Sequence, residues 1–173
     1  MLDKLLQIEK EVLPELLNNE SLWKSMYIDY HPPVVARLWT QYENVRIYLH
    51  KIYPCQSSIE ALFHPHPWES AIRILNGKYE MGVGHSATDE IPKIDCRLIL
   101  PVHSTYEMKE MDGWHYVNPI KNPVYSLMVT GNRFSRKMPV EPDKNFRELT
   151  EQEKTEIFDE VKFYYRNYHR YKA

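Results

Sequence analysis

The hydrophobic positions of this chain change period along its length. Leu2, Leu5, Leu6, Leu13, Leu16 and Leu17 recur at helical spacing with charges between them. That pattern predicts an amphipathic first helix, kinked or restarted at Pro14 and ended by Asn18 and Asn19. Ser21, Leu22 and Trp23 open a second short apolar segment, which His31, Pro32 and Pro33 must close because proline cannot continue backbone bonding. From Asn44 the period falls to two. Val45, Ile47 and Leu49 alternate with Arg46, Tyr48 and His50, as in a half-buried strand. Further strands are expected over 70–75, 78–83, 96–100, 105–108, 114–117 and 125–130, separated by turns rich in Pro, Asp, Gly and Asn. Asn76-Gly77 is a strong hairpin signal. Gly82 and Gly84 mark either a bulge or a close approach to the backbone.

Many short strands at this spacing predict a mainly β fold, an antiparallel sandwich or barrel. Its expected core includes Ile72, Ile74, Leu75, Leu98, Leu127 and Val129. After Gly131 the chain is polar and proline-punctuated through Asp143, which reads as a surface excursion. Thr150 with Glu153 then forms a capping-box pattern opening a last helix. Ile157, Val161, Tyr164 or Tyr165, and Tyr168 lie along one face of it, and Lys162, Arg166 and Arg170 complement the dipole at its end. Docking of that aromatic face on the barrel is the plain expectation, and a homodimer contact is the alternative.

At 173 residues the chain is expected to make one domain: a helical segment over 1–43, a β-barrel over 44–134, and a loop and C-terminal helix over 135–173. A formal net charge of -2 with 27% charged residues gives no electrostatic case for a nucleic-acid or membrane-surface partner. Cys55 and Cys96 are the only cysteines, and the first residues lack the order of a secretory signal, so a reducing, cytoplasmic location is expected. No apolar run approaches the roughly 20 residues of a membrane-spanning helix.

Candidate chemistry centres on FHPHPWESAIRILNG, residues 63–77. His64 and His66, two apart, share one face of an extended strand, so both rings can reach one point. An isolated H-x-H is common by chance, but His115 in GWHYVNPI heads a later strand in a similar setting. Together they point to a metal. Three neutral imidazoles leave open positions, which suits a ferrous ion that must bind both a substrate and dioxygen. Zinc tolerates the same set as a Lewis acid or hydroxide source, so the donor set leaves the metal open. His85 and His103 read as surface or loop residues, with His85 the substitute should His64 point away. His31, His50 and His169 carry no supporting spacing. Tyr79, Tyr106 and Tyr116 fall on expected barrel strands, and Glu80 or Glu107 could supply a base.

HPHPWESAIRILNG followed by GWHYVNPIKNPVYSLMVTG resembles the two motif blocks of the cupin superfamily, which implies a small double-stranded β-helix barrel that holds a metal between its sheets. The superfamily's first motif runs H-x-H, three or four residues, Glu, six residues, Gly. Gly77 fits its end. Counting back, the carboxylate position falls on Ser70, with Glu69 one residue early and therefore turned to the other face of a strand. Glu69 is expected not to be a strong ligand. Within the superfamily, Gln41 to Gly131 is most similar to the three-histidine thiol dioxygenases of the cysteine dioxygenase type. That likeness implies Fe(II) held by His64, His66 and His115, dioxygen, and a small thiol carboxylate substrate. Gln41-Tyr42 followed by Arg46 resembles the strand whose arginine holds the substrate carboxylate. The catalytic tyrosine of that type would fall near Thr130, where no tyrosine stands, and Tyr125 is five residues early. Two classes stay open: a metal-dependent oxygenase acting on a small molecule, and a non-redox cupin, a small-ligand binder or isomerase, with zinc, manganese or no metal.

Overall fold

The N-terminal leucine pattern folds as a helix in three pieces: α1 (Leu2–Gln7), a π-helical turn (Ile8–Val12) and α2 (Leu13–Leu16). The structure, a computed structural model, describes residues 1–135 and 146–170, with side chains as far as Tyr168. Pro14 sits in the first turn of α2, where its missing N–H costs least, and the helix ahead of it widens into the π turn. Leu5, Ile8, Leu13, Leu16 and Leu17 are buried, whereas Leu6 is exposed.

The expected helical segment 1–43 is corrected in its second half. After a 3-10 turn (Glu20–Leu22) come two strands, β1 (Lys24–Ile28) and β2 (Val35–Tyr42). Alternation explains β2: Ala36, Leu38 and Thr40 are buried on one face, while Val35, Arg37 and Trp39 point the other way. Prolines 32 and 33 interrupt bonding only in the connection between the two strands.

The remaining strands are β3 (Val45–Ile52), β4 (His64–Pro65), β5 (Trp68–Asn76), β6 (Lys78–His85), β7 (Cys96–Pro101), β8 (Thr105–Met108), β9 (Gly113–Pro119) and β10 (Val124–Arg133). All pairings are antiparallel and form two sheets, one ordered β1-β2-β3-β10-β5-β8 and the other β4-β9-β6-β7. The mainly β, cupin-like architecture is thus present, with helices before and after it. Gly77 takes the left-handed backbone (φ 82) that the hairpin between β5 and β6 requires. At Gly82 a Cβ would lie 2.0 Å from the Tyr116 ring, so close approach of that ring, rather than a bulge, explains this glycine.

The six-stranded sheet is covered on both faces. Its outer face packs Leu38, Ile47, Leu49, Leu127 and Val129 against Leu5, Ile8 and Leu13 from the N-terminal helix and against Ile157, Phe158 and Val161. These last three belong to α3 (Glu151–Arg170). Each such aliphatic side chain contributes roughly 1.5–3 kcal/mol by leaving water. Its inner face, with Ile52, Ile74 and Val124, meets Tyr79 and Met81 of the second sheet. The half-buried reading of β3 is therefore corrected: Tyr48 and His50 point not to solvent but into the space between the sheets, and both are buried. Leu98 is corrected as well, at 42% exposed. It lies on β7, the edge of the smaller sheet, which no described element covers. Ile72, Ile74, Leu75, Leu127 and Val129 are buried as expected.

α3 opens with the capping box read from the sequence: Glu153 N–H donates to Thr150 Oγ1 (3.2 Å) and Thr150 N–H donates to Glu153 Oε2 (2.8 Å). Its apolar face docks on the sheet, and Tyr165 Oη donates to the Glu9 carbonyl (3.0 Å). Buried Arg73 on β5 pairs with buried Glu9 of the π turn at 2.8 Å and donates to Tyr168 Oη at 3.1 Å, so the sheet and both helical segments meet at one ion pair. The expected surface excursion falls mainly on 136–145, outside the described residues, as do the side chains of His169 and Arg170. Among the described residues no helix is long and apolar enough to cross a membrane.

Candidate metal centre

His64 and His66 reach the interior from β4 and the residue that follows it. Pro65 and Pro67 flank His66 and limit β4 to two residues, because neither can donate to a ladder. Those two residues pair with β9, placing His64 directly opposite His115 and Pro65 opposite Trp114. One cross-strand pair and one i, i+2 step thus bring three imidazoles together. Their ring centroids lie 5.4 Å (His64–His66), 5.0 Å (His64–His115) and 4.7 Å (His66–His115) apart. One nitrogen from each ring can be chosen so that all three lie within 4.8 Å of one another.

Each ring's two nitrogens divide their tasks. His64 Nδ1–H donates to the Leu62 carbonyl (2.9 Å), which turns its Nε2 lone pair toward the cluster. His66 Nδ1 lies 3.1 Å from Ser70 Oγ, and its Nε2 lies 2.9 Å from His115 Nε2. Ser70, fully buried on β5, therefore occupies the position where a carboxylate was counted back from Gly77, and it touches a histidine rather than a metal point. Glu69 does not join the cluster. Burial lowers the His64 pKa to about 4, against the opposing bond to the Leu62 carbonyl, and burial with the neighbouring His64 and Arg37 lowers that of His66 to about 3. Burial likewise drives His115 well below its ordinary value. All three are neutral at pH 7 and keep lone pairs to donate.

The donor set fits a divalent transition metal. A separation of 2.9 Å between two Nε2 atoms suits two ligands of one ion at metal–nitrogen distances of ~2.0–2.1 Å. His115 Nδ1 is buried without a hydrogen-bond partner.

The histidines form one wall of a cavity of about 190 Å³. Ile28, Val35, Ile52, Ile72, Val117 and Met128 make it mostly apolar. Its polar groups are few: Arg37, His50 and Ser126 on the six-stranded sheet, Tyr30 and His31 from the β1–β2 connection, and Tyr79 and Tyr106. Tyr79 Oη donates to Tyr106 Oη at 2.7 Å, and the Tyr106 ring lies 6.3 Å from that of His115. Burial raises both phenols, so they stay protonated at neutral pH.

Sequence reasoning placed the three histidines and missed much of what faces them. Arg46, the expected substrate arginine, is corrected: it is exposed near the start of β3, its guanidinium stacks over Trp39 at 5.2 Å, and it does not line the cavity. Arg37 does. Arg46 and His50 share a strand face, but four residues of rise carry Arg46 beyond the cavity's end. His31 and His50, without supporting spacing in the sequence, both line the cavity. For His50 the available signal was its place on the same strand face as Ile52, opposite to Leu49, readable only once the sheet is known to be covered on both faces. His85 is exposed and pairs with Asp95 at 3.0 Å, and His103 sits in a turn with φ 71 beside Tyr168. Glu107 binds the N-terminal amino group at 2.9 Å and Glu80 accepts from Tyr116 at 2.6 Å, so neither faces the histidines.

No family model and no curated protein matches the sequence. Solved structures do. Hydroxypropylphosphonic acid epoxidase from S. wedmorenis aligns with a TM-score of 0.50 at 13% identity, over 64% of this chain and 56% of that one. AerE from Microcystis aeruginosa aligns at 0.47 and 17% identity, over 64% and 47%, and the Fe(II) form of HppE at 0.44 and 14%, over 56% and 49%. The chain spans about half the length of these structures. At 13% identity, the likeness to the epoxidase shows a shared cupin-like fold.

Proposed function

We propose that this chain, acting as one cupin-like unit, is a non-haem iron-dependent oxidoreductase of the dioxygenase kind that acts on a small molecule. The observation that carries the reading is the convergence of His64, His66 and His115 on the wall of an apolar cavity, with one nitrogen of each inside a 4.8 Å span. His64, His66 and His115 would hold the metal. A ferrous ion there supplies redox chemistry toward dioxygen, which three neutral imidazoles favour by leaving positions open. The protein's own part is to keep the rings neutral by burial, to orient His64 through Leu62 and His66 through Ser70, and to exclude water with aliphatic walls. Tyr106 accepts from Tyr79 and so keeps its own proton to offer to a bound molecule.

The likeness to thiol dioxygenases, and with it a thiol carboxylate substrate, is the finer form of the proposal. Ser70 in place of a ligand carboxylate supports it, whereas the tyrosine that reaches the cavity, Tyr106, comes from β8 and not from β10 near Thr130, where that type would place it. Elemental analysis of protein purified without added metal tests the main reading. About one iron per chain is the expected result, and zinc alone or no metal would overturn it.

A further inference from the structure

A strand at the edge of a sheet presents unpaired backbone groups, which folds usually blunt. This fold has four edges, β1 and β8 on the larger sheet and β4 and β7 on the smaller. Three are blunted. Residues 147–149 run beside β1, where Tyr27 N–H donates to the Arg147 carbonyl (2.9 Å) and Leu149 N–H donates to Ser25 Oγ (3.1 Å). β8 has four residues, and its Glu107 holds the Met1 amino group and the Leu2 N–H at the start of α1, at 2.9 and 3.0 Å. β4 has two residues, one of them a proline.

β7 carries none of these devices. Its six residues pair with β6 on one side, and among the described residues no strand pairs on the other. Directly paired residues share a face, so Leu98, opposite Met81, is on the inner face and Ile99, opposite Glu80, on the outer. They are 42% and 55% exposed, and Ile94 and Val102, just before and after the strand, are exposed too. The strand's one charge is turned back over its own sheet: Arg97 Nε donates to Tyr116 Oη (3.2 Å), which donates to Glu80 Oε1 (2.6 Å). It neither guards the edge against another strand nor offers a charged partner an anchor.

What fits such an edge is a short strand, apolar on both faces, and β7 is itself one. Two copies related by a two-fold axis pair antiparallel, with the axis at a residue that faces its own mate. Centred on Cys96, half of the pairing falls before the strand begins. Centred on Arg97, it opposes two guanidinium groups, and centred on Ile99 it sets Pro101, which has no N–H, against Arg97. Centred on Leu98 it meets none of these obstacles. Leu98 then faces Leu98 of the second copy, Ile99 faces the stem of Arg97, Cys96 faces Leu100, and the same register brings Ile94 beside Val102.

We propose that β7 is a docking edge for a second copy of this chain, the two strands pairing antiparallel about Leu98 so that two four-stranded sheets become one of eight strands. Each copy has one bare edge among its described strands, so the assembly closes at two and does not grow. Pairing over 96–100 lies at the small end of specific interfaces, so the dimer is reversible and depends on concentration.

Sedimentation equilibrium of the full chain, from about 1 μM to about 1 mM, tests it and should show a monomer–dimer equilibrium. Ile99→Lys sets an ammonium group against Arg97 of the second copy and should weaken the dimer at least about tenfold, with the circular dichroism spectrum unchanged. Ile59→Lys, at a loop position 95% exposed, should leave it as it was. In a chain with Cys55→Ser and Cys96→Ser, Leu98→Cys should form a disulfide-linked dimer in air. Ile99→Cys in that background should not, because the two-residue offset carries its Cα atoms past the ~7 Å that a disulfide spans. A chain monomeric at every concentration would overturn the proposal and leave the edge to an extended segment of another protein. Growth beyond two copies, or a dimer that Ile99→Lys leaves intact, would overturn it as well. Cross-linking through position 99 and not 98 would overturn the register.

Discussion

The two faces of β10 are built from alternate residues of one strand, yet they obey different rules. Tyr125, Leu127 and Val129 pack outward into the core beneath the helices, an apolar layer without polar demands. Ser126 and Met128 face inward with Arg37, His50 and the three-histidine cluster, where Arg37 Nε, His50 and Ser126 form one row and each meet one particular partner. The outer face needs volume and hydrophobicity, so substitutions there should be felt as stability. The inner face needs specific atoms in specific places, so substitutions there should be felt as binding.

The sharpest way to break that contrast is to remove a metal-centre histidine. His66→Ala and His115→Ala should each lose tight metal binding, a change of orders of magnitude in affinity, while remaining folded by circular dichroism. Full metal content in either variant would remove that residue from the centre. Next in size is Glu9→Gln on the outer side, which strips the partner from Arg73 when the two side chains are 4% and 6% exposed. A loss of about 3–5 kcal/mol is expected from urea unfolding, because the guanidinium is left buried and unpaired. Leu127→Ala should cost about 2–5 kcal/mol and leave the metal stoichiometry of the folded protein unchanged. Leu98→Ala, at an exposed edge position, should cost less than about 1 kcal/mol. A Leu127 variant as stable as the parent would show that the outer layer does not act as a core.

The same contrast explains what was legible in the sequence. Outer-face residues such as Ile47, Leu49, Leu127 and Val129 announce themselves by alternation, and the Thr150–Glu153 cap and the Asn76-Gly77 turn by local chemistry that needs no tertiary context. His64, His66 and His115 were legible because i, i+2 spacing on an extended chain has one geometric meaning. Arg37 and His50 were not, because a polar residue alternating with apolar ones reads as solvent-facing unless a second sheet lies across it. β1 and β2 were hidden for a related reason: β1 has only five residues, and in β2 polar Arg37 and Thr40 interrupt the apolar alternation that marks a strand. Leu98 failed in the opposite direction, since an apolar strand at an uncovered sheet edge has the same sequence pattern as a buried one.

The smallest predicted effect per residue concerns acid, and it belongs to the inner face alone. His64 and His66 are held down to about 4 and about 3, and burial keeps His50 and His115 well below the ordinary value. In the unfolded chain each returns to about 6.5. Below that value the unfolded state takes up protons that the folded state refuses, so the stability these residues contribute is complete above about pH 6.5. It declines as the pH falls toward their folded values. Between pH 7 and 6 each such histidine should cost the metal-free protein about 0.7 kcal/mol. A bound metal, which needs the imidazoles unprotonated, should make the decline steeper by releasing the ion. Urea midpoints of the metal-free chain across this range give the slope. His50→Gln should lower it by one histidine's share, whereas Leu127→Ala should shift the whole curve down without changing it. A slope that His50→Gln leaves untouched would mean that folded His50 takes up its proton as readily as it does in the unfolded chain and is charged at mildly acid pH. It could not then accept from Arg37, and the inner row would have to be drawn differently.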